Sequence, residues 1–147
     1  MKVSRMYMDT PQDQEDLQQE IIFQLWKSYV RYRGESKFST WMYRVALNTA
    51  ITYFKKDKRR PDRSALETGM DVEAEDQEER STRLAHFYEA VKSLSKIEKA
   101  LILMYIEGLA HQEIADNLGI SHGNARVKLN RTKKKLQAII KAQGYEF

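Results

Sequence analysis

Residues 111–136 read HQEIADNLGISHGNARVKLNRTKKKL, and this stretch decides how the chain is interpreted. Ile114, Ala115 and Leu118 lie at helical spacing, which predicts a short helix with one apolar face. Gly119 follows, and glycine readily adopts the left-handed backbone conformation in which many helices end. The small side chain of Ala115 would let a second helix approach closely.

A second helix is predicted to begin after Ser121, because a serine oxygen can accept a hydrogen bond from an amide of the first turn. Ala125 and Leu129 would then face inward. Residues 121–141 contain seven Lys or Arg and no Asp or Glu. Two helices joined at a glycine, the second one cationic, are typical of a helix-turn-helix that enters the DNA major groove. An ordinary helical hairpin with a solvated basic face is the alternative.

Length and composition indicate a globular chain of one domain or two small ones. It has 147 residues, of which 41% are hydrophobic and 31% charged. No apolar run is long enough to cross a bilayer, and the first residues lack the apolar core of a signal peptide, so we expect a cytoplasmic protein. The absence of cysteine excludes disulfides, thiolate metal sites and cysteine catalysis.

Charge is distributed in three blocks. Residues 1–60 carry a net charge of +5, residues 61–83 carry −5, and residues 84–147 carry +4. Two basic blocks on either side of an acidic one suit two contacts with a polyanion. The acidic block has few large apolar side chains to offset its chain entropy, so it is predicted to be a flexible linker.

The first block begins with a helix signal, Thr10 as N-cap and Pro11 at the first helical position, and the apolar period runs to about Tyr32. The apolar arc of this helix is broad. Either one side is buried and another remains free for a partner, or the whole arc is core. Residues 32–38 break the period and are predicted to be a loop. A second helix is predicted from an N-cap at Ser39 to about Lys58.

The second block begins with a helix predicted from about Ser81 to Ser93. Ser95 and Glu98 form a capping-box pattern before a strongly apolar helix that ends near Gly108. No strand alternation or internal repeat is present. The predicted fold is all-α: two small helical domains joined by a flexible acidic linker, with the helix-turn-helix in the C-terminal one.

Two stretches resemble a known family. Residues 16–60, DLQQEIIFQLWKSYVRYRGESKFSTWMYRVALNTAITYFKKDKRR, closely resemble region 2 of the extracytoplasmic-function (ECF) sigma factors of the sigma-70 family. Residues 94–136, LSKIEKALILMYIEGLAHQEIADNLGISHGNARVKLNRTKKKL, resemble their region 4. Many regulators contain a helix-turn-helix, but both stretches in this order, with an acidic linker between them, are specific.

The resemblance implies a sigma factor that directs RNA polymerase to promoters. Region 2 of the family binds core RNA polymerase and melts and reads the promoter −10 element, whereas region 4 binds the −35 element as duplex DNA. The implied domains are residues 1–60 for region 2, residues 61–83 for the linker and residues 84–147 for region 4. Expected partners are core RNA polymerase, promoter DNA and an anti-sigma factor, with no small-molecule substrate, cofactor or metal.

The resemblance also assigns three groups of residues. The polymerase-binding group is Asp16, Leu17, Gln19, Glu20, Ile21 and Gln24. The −10 group is Arg33, Gly34, Glu35, Ser36, Lys37, Phe38, Asn48, Lys55 and Lys56. The −35 group is His122, Asn124, Arg126, Lys128, Asn130 and Arg131.

The chain departs from the family pattern at two places. The family usually has a further helix at its N-terminus, and KVSRMYM, residues 2–8, is expected to be the tail of that helix. Asn124 and Ala125 stand where a threonine and a larger aliphatic residue are usual. Asn124 is expected to alter the preferred −35 sequence, and Ala125 to reduce the helix-turn-helix core.

Two other function classes explain the sequence less well. A helix-turn-helix regulator without sigma activity explains the second block but leaves the aromatic and basic pattern of residues 26–60 without a role. An enzyme is disfavoured, because His86, His111 and His122 are scattered and neither a zinc-protease motif nor a glycine-rich phosphate loop is present.

Overall fold

A computed structural model describes the backbone of residues 1–57 and 75–144, and the side chains of residues 1–53 and 79–144. These residues form α-helices and no strand, which confirms the all-α class. The helices are α1 Lys2–Tyr7, α2 Pro11–Tyr29, α3 Phe38–Asp57, α4 Glu75–Lys92, α5 Lys96–Ile106, α6 His111–Leu118 and α7 His122–Ala142.

The predicted helix caps at two starts are confirmed. The Thr10 hydroxyl accepts the amide of Asp13 at 3.1 Å, and Pro11 opens α2. Ser95 and Glu98 form a reciprocal capping box at α5, with bonds of 2.8 and 3.2 Å. Each cap satisfies amides that have no partner within the helix.

Helix α3 begins two residues earlier than predicted. The amide of Trp41 donates to the carbonyl of Lys37 at 3.1 Å, so Ser39 lies inside the first turn and is not the N-cap. The buried side of α3 carries Ala46, Leu47 and Ala50, whereas Met42 is 37% exposed.

Helix α4 begins at Glu75, so residues 75–83 are helical and the predicted linker is wrong there. Acidic residues at a helix N-terminus interact favourably with the helix dipole, and Arg83 forms an ion pair of 2.6 Å with Glu79 one turn away. The rest of the predicted linker, residues 61–74, lies outside the described residues.

The first half of the core lies between α2 and α3. Leu17 and Ile21 of α2 are fully buried. They face the same interior as Ala46 and Ala50 of α3, whose small side chains let the two helices approach closely.

The second half of the core is built around α5, in which Leu101, Ile102, Leu103 and Met104 are buried in succession. The middle of α5 is therefore surrounded on all sides and has no solvent face to preserve. Helices α6 and α7 pack against it.

Helix α1 joins the two halves. Val3, Met6 and Tyr7 are 3% exposed, and α1 contacts α2 and α3 on one side and α4 and α5 on the other. The Tyr7 hydroxyl donates to the carbonyl of Lys96 at 2.7 Å. The halves that were predicted as separate domains are therefore in contact. None of the described helices is long and apolar enough to span a membrane.

Candidate nucleic-acid interface

Helices α6 and α7 meet at a tight turn. Gly119 has φ 66°, a left-handed conformation that glycine adopts without strain. The amide of Ile120 donates to the carbonyl of Ala115 at 3.0 Å, and the Ser121 hydroxyl accepts the amide of Asn124 at 3.2 Å. Ala115 and Ala125 are almost completely buried, so α6 and α7 approach closely, as the sequence predicted.

Helix α7 presents its polar side chains to solvent. Ala125, Leu129 and Thr132 are buried on one side of the helix. All the residues of the predicted −35 group are exposed: His122, Asn124, Arg126, Lys128, Asn130 and Arg131. Their side chains are available to a groove, and contact with DNA stays a prediction.

The cations of α7 fall into two sets. Lys135 donates to both oxygens of Glu98, at 2.9 and 3.1 Å, and the Lys133 ammonium lies 3.6 Å from the centroid of the Tyr105 ring. These two lysines attach α7 to α5. By contrast, Arg126 and Arg131 form no ion pair with any described side chain, so their guanidinium groups are available to a phosphate or a base.

Glu98 supports the attachment of α7 to α5. Burial alone would raise the pKa of its carboxyl, but the Ser95 amide and the Lys135 ammonium hold that pKa below its usual value. The carboxylate thus caps α5 and binds α7 at once.

Val127 is a surface residue that the sequence interpretation missed. Its side chain is 47% exposed on α7 between Arg126 and Lys128. An apolar side chain on a groove-facing helix can contact the methyl group of thymine. The signal was available, because Val127 lies on the helix side opposite the buried Ala125 and Leu129.

Two of the histidines are not scattered. The rings of His111 and His122 lie edge to face with centroids 6.0 Å apart, at the adjacent starts of α6 and α7. His86 is half-buried on α4. Among the described residues, no group of three or more metal-ligating side chains comes together.

The predicted −10 loop, residues 33–38, is exposed along its whole length. Gly34 has φ 73°. Phe38 begins α3 and packs against the ring of Trp41, with centroids 5.5 Å apart. The loop is thus anchored at its end while its polar side chains project outward.

Asn48 is exposed on α3 but does not lie beside the loop. It is ten residues beyond Phe38, about 15 Å along a helix. The side chains of Lys55 and Lys56, which were assigned to the same surface, lie outside the described residues.

Asn48 instead borders a groove of about 570 Å³ between α2 and α3. Its lining is mainly polar: Glu20, Gln24, Ser28, Val45, Asn48, Thr49, Thr52 and Tyr53. The Gln24 amide donates to Glu20 at 2.9 Å across one turn of α2. Two members of the predicted polymerase-binding group therefore share a groove with a member of the −10 group.

Leu17 and Ile21 cannot belong to a docking surface. Both are 0% exposed, because α3 and α1 cover that side of α2, and their assignment to polymerase binding is wrong. A different side of α2 is free. It carries a surface, here called the α2 outer face, that is polar at its start and apolar from Ile22 to the C-cap residue Val30. Its members are Asp16, Gln19, Ile22, Phe23, Trp26 and Val30.

The α2 outer face is unusually apolar for a solvent-exposed surface. Trp26 is 84% exposed and Val30 86%, with Phe23 at 57%. Contiguous apolar side chains of this size mark an interaction site on a soluble protein. Of the two open interpretations of this helix, a buried side with a separate free side is confirmed.

Comparisons with known proteins agree with these features. The models for sigma-70 region 2 and sigma-70 region 4 match residues 1–60 and residues 85–136. The chain is 29% identical over 135 residues to the ECF RNA polymerase sigma-E factor of Haemophilus influenzae, covering 83% of this chain and 71% of that protein. The chain belongs to the ECF sigma factors of the sigma-70 family.

Two other sigma factors are similarly distant from the chain. Identity is 28% over 149 residues to the sigma-E factor of Escherichia coli, covering 88% of this chain and 76% of that protein. It is 33% over 111 residues to the RNA polymerase sigma-H factor of Pseudomonas aeruginosa, covering 74% of this chain and 50% of that protein. The chain thus spans half the length of the sigma-H factor.

Two solved structures share the fold. One is the sigma factor RpoE in complex with the anti-sigma factor NepR from Bartonella quintana, with a TM-score of 0.70 and 17% identity, over 95% of this chain and 88% of that one. The other is CnrH in complex with the cytosolic domain of CnrY, with a TM-score of 0.66 and 20% identity, over 95% and 79%.

Proposed function

We propose that this protein is an RNA polymerase sigma factor that recognises promoters with both halves of the chain. Residues 84–147 bind the −35 element as duplex DNA, and residues 1–60 bind core polymerase and open the −10 element. The function is recognition and strand separation, carried out in the cytoplasm, without a catalytic residue, a cofactor or a small-molecule substrate.

The observation that carries the proposal is the α2 outer face in the same half as the exposed loop. A regulator that only binds duplex DNA needs α7 but has no use for Trp26 and Val30, which are more than four-fifths exposed. An apolar patch of this kind is best explained by a large protein partner. We assign core polymerase to the α2 outer face and the −10 strand to residues 33–38.

Opening of the −10 element follows from the chemistry of the loop. A base in a duplex is stacked and paired, and extruding it costs a few kcal/mol. A protein offsets that cost with a site for the base and cations for its strand. The loop offers the Glu35 and Ser36 side chains for hydrogen bonds, with Arg33 and Lys37 as cations.

The groove beside Asn48 extends the proposed path of the strand. Asn48 can donate to and accept from a base edge, and the hydroxyls of Thr49 and Thr52 lie in the same groove. Each of these hydroxyls donates to a carbonyl of α3 four residues earlier, and its oxygen remains an acceptor. Lys55 and Lys56 are proposed backbone contacts further along this helix.

An exchange of residues 33–37 for a glycine-serine loop tests the proposal, with Phe38 kept because it packs on Trp41. With purified core polymerase and a matching promoter, the wild-type protein should support transcription and make thymines near the start site reactive to permanganate. The exchanged protein should keep its helical content, core binding and −35 duplex binding but lose this reactivity.

Two outcomes would reject the proposal. A wild-type protein that binds promoter duplex but does not support transcription by core polymerase is a helix-turn-helix regulator. An exchanged protein that still opens the promoter with an unchanged −10 preference shows that the loop does not read the strand.

An anti-sigma factor is a further proposed partner. One structural relative is the sigma factor RpoE from Bartonella quintana, solved in complex with the anti-sigma factor NepR, and it shares the fold of this chain. The exposed apolar α2 outer face would be accessible to such a regulator when core polymerase is absent. Co-purification of a tagged chain from cells lacking the inducing signal tests this partner.

A further inference from the structure

Tyr32 holds the −10 loop at two points. Its hydroxyl donates to the carbonyl of Ser36 at 2.7 Å, which links the start of the loop to its other end. Its ring lies against Phe38, with centroids 5.5 Å apart, and against Trp41, with centroids 5.1 Å apart. One side chain therefore contacts both the loop backbone and the helix that follows the loop.

The ring contacts belong to a four-ring cluster. Tyr29 lies 6.4 Å from both Phe38 and Trp41, so aromatic packing joins the end of α2 to the start of α3. Aromatic pairs at these distances and angles are favourable. The cluster fixes the two ends of the loop, but it does not fix the backbone between them.

The backbone between the ends needs a separate restraint. Residues 33–37 are exposed, and Gly34 at φ 73° adds conformational freedom. A strand that binds a mobile loop has to order it, and this ordering opposes binding. The bond from Tyr32 to Ser36 closes the loop into a five-residue ring before any DNA arrives.

We propose that Tyr32 is a positioning residue for −10 recognition. Its hydroxyl holds the Ser36 carbonyl, and thereby the side chains of Glu35 and Lys37, in the conformation that binds the extruded strand. Tyr32 acts through the loop and does not itself read a base. This inference rests on the proposed function of residues 33–38.

The substitution Tyr32→Phe tests the hydroxyl alone, because the ring and its packing remain. The matched control is Tyr29→Phe, which removes a hydroxyl from the same cluster. The Tyr29 side chain is 60% exposed, and its hydroxyl makes no hydrogen bond with the described residues. The probe is a single-stranded oligonucleotide that carries the −10 sequence, with base-substituted versions, measured by fluorescence anisotropy.

Tyr32→Phe should weaken binding of the −10 oligonucleotide about 2- to 10-fold, the range expected when one neutral hydrogen bond is lost. It should also reduce the difference between the −10 sequence and its base-substituted versions. Tyr29→Phe should change neither quantity by more than about twofold. The −35 duplex affinity and the melting temperature should match wild type in both variants.

The inference is overturned if Tyr32→Phe binds the −10 oligonucleotide with wild-type affinity and preference. It is also overturned if affinity for the −35 duplex falls by the same factor, because the hydroxyl would then act on the whole fold. These outcomes are distinct from failure of the proposed function. If the loop exchange abolishes promoter opening while Tyr32→Phe leaves −10 binding unchanged, only the proposed role of Tyr32 is rejected.

A second variant keeps the test informative if the hydroxyl effect is small. Tyr32→Ala removes the ring contacts as well as the bond, and should weaken −10 binding more than Tyr32→Phe does. Equal effects in the two variants would assign the whole contribution to the hydroxyl and support the proposal. A loss in Tyr32→Ala with none in Tyr32→Phe would assign it to packing and overturn the proposal.

Discussion

The carboxylate of Glu113 on α6 lies 3.8 Å from the ammonium group of Lys37 in the −10 loop. The same carboxylate accepts a hydrogen bond from the hydroxyl of Thr40 at 3.4 Å. Nearby, the Arg44 guanidinium donates to the carbonyl of Asp116 at 3.5 Å. The Glu113 carboxylate thus faces Lys37, a cation that is proposed to meet a promoter strand, and DNA has to displace this carboxylate.

Replacement of Glu113 by glutamine should raise the affinity for a single-stranded −10 oligonucleotide by up to about fivefold, because an exposed ion pair contributes about 0.2–1 kcal/mol. Glutamine can still accept the amide of Ala110, which Glu113 caps at 2.8 Å, so α6 should stay folded. Fluorescence anisotropy measures the change. Glu89→Gln on α4 is the control for loss of one surface carboxylate, and equal affinities in the two variants would contradict the prediction.

Alanine at Arg126, Lys128 or Arg131 separates base reading from phosphate contact on α7. At a base-reading position, the substitution should cost about 1–3 kcal/mol at one base pair and relax the preference there. At a phosphate-contacting position, it should weaken all sequences alike and reduce the salt dependence of binding. Competition binding across −35 variants distinguishes the two effects.

The control for these substitutions is Lys141→Ala, which removes one exposed positive charge near the end of the same helix. This control substitution should reduce the affinity for −35 DNA by less than Arg126→Ala, Lys128→Ala or Arg131→Ala does. Wild-type binding by all three alanine variants would show that α7 does not enter the groove.

Replacement of Trp26 by serine should weaken binding to core polymerase by about 30-fold or more, since a buried interfacial tryptophan often contributes 2 kcal/mol or more. Folding should be unaffected, because the side chain is 84% exposed in the free protein. Leu84→Ser on α4 is a matched control, with an apolar side chain 46% exposed. A quantitative pull-down with core polymerase gives the affinities, and equal binding by both variants would refute the assignment of the α2 outer face.

A charge reversal at Glu20 should have a smaller effect on core binding than the substitution of Trp26. Glu20 lies in the groove with Asn48, beside the α2 outer face, and bonds to Gln24. Like-charge contact with a basic partner would reduce the association rate. Stopped-flow association at low and high salt measures this rate. A larger loss in Glu20→Lys than in Trp26→Ser would favour the groove as the polymerase contact.

Local chemistry made the helix starts predictable. Thr10, Ser95 and Ser121 each accept an amide within three residues, so the information for these caps is contained in a few neighbouring positions. The turn at Gly119 was predictable for the same reason. These features needed no knowledge of what the helices pack against.

Long-range packing decided the features that were missed. Leu17 and Ile21 are buried and Trp26 is exposed because α1 and α3 cover one particular side of α2, which the broad apolar arc did not specify. The bond from Tyr32 to Ser36 depends on the path of the loop. The placement of Glu113 against Lys37 depends on how the two halves of the chain meet.

Glu107 connects the two halves and predicts a pH dependence of stability. It accepts hydrogen bonds from Lys2 and Tyr43, and these, the Lys2 bond first, lower the pKa of its carboxyl. The Lys2 bond to Glu107 in turn raises the pKa of the Lys2 ammonium. Burial, with the bond to Glu107, raises the pKa of Tyr43 to about 12.

The directions of these shifts define the pH window. A carboxyl with a lowered pKa in the folded state stabilises the fold above its unfolded pKa of about 4.3, and this contribution is lost as pH falls through the folded pKa. An ammonium with a raised pKa stabilises the fold below its unfolded pKa of about 10.4, and this contribution is lost as pH rises through the folded pKa. The ion pair between Glu107 and Lys2 should therefore be intact at neutral pH.

Replacement of Glu107 by glutamine should lower the melting temperature at neutral pH but not at strongly acidic pH. The difference between wild type and variant should be constant from about pH 6 to pH 9 and should shrink as pH falls below about 4.3, where the carboxyl of the unfolded chain becomes protonated. It should disappear once pH is below the lowered pKa of the folded-state carboxyl, because Glu107 then loses its ion pair with Lys2. Circular dichroism melts at successive pH values measure this difference in melting temperature. Glu15→Gln, at an exposed position on α2, is the control for loss of one carboxylate. A difference for Glu107→Gln that persists undiminished to pH 3 would show that the contact does not depend on the charge of Glu107.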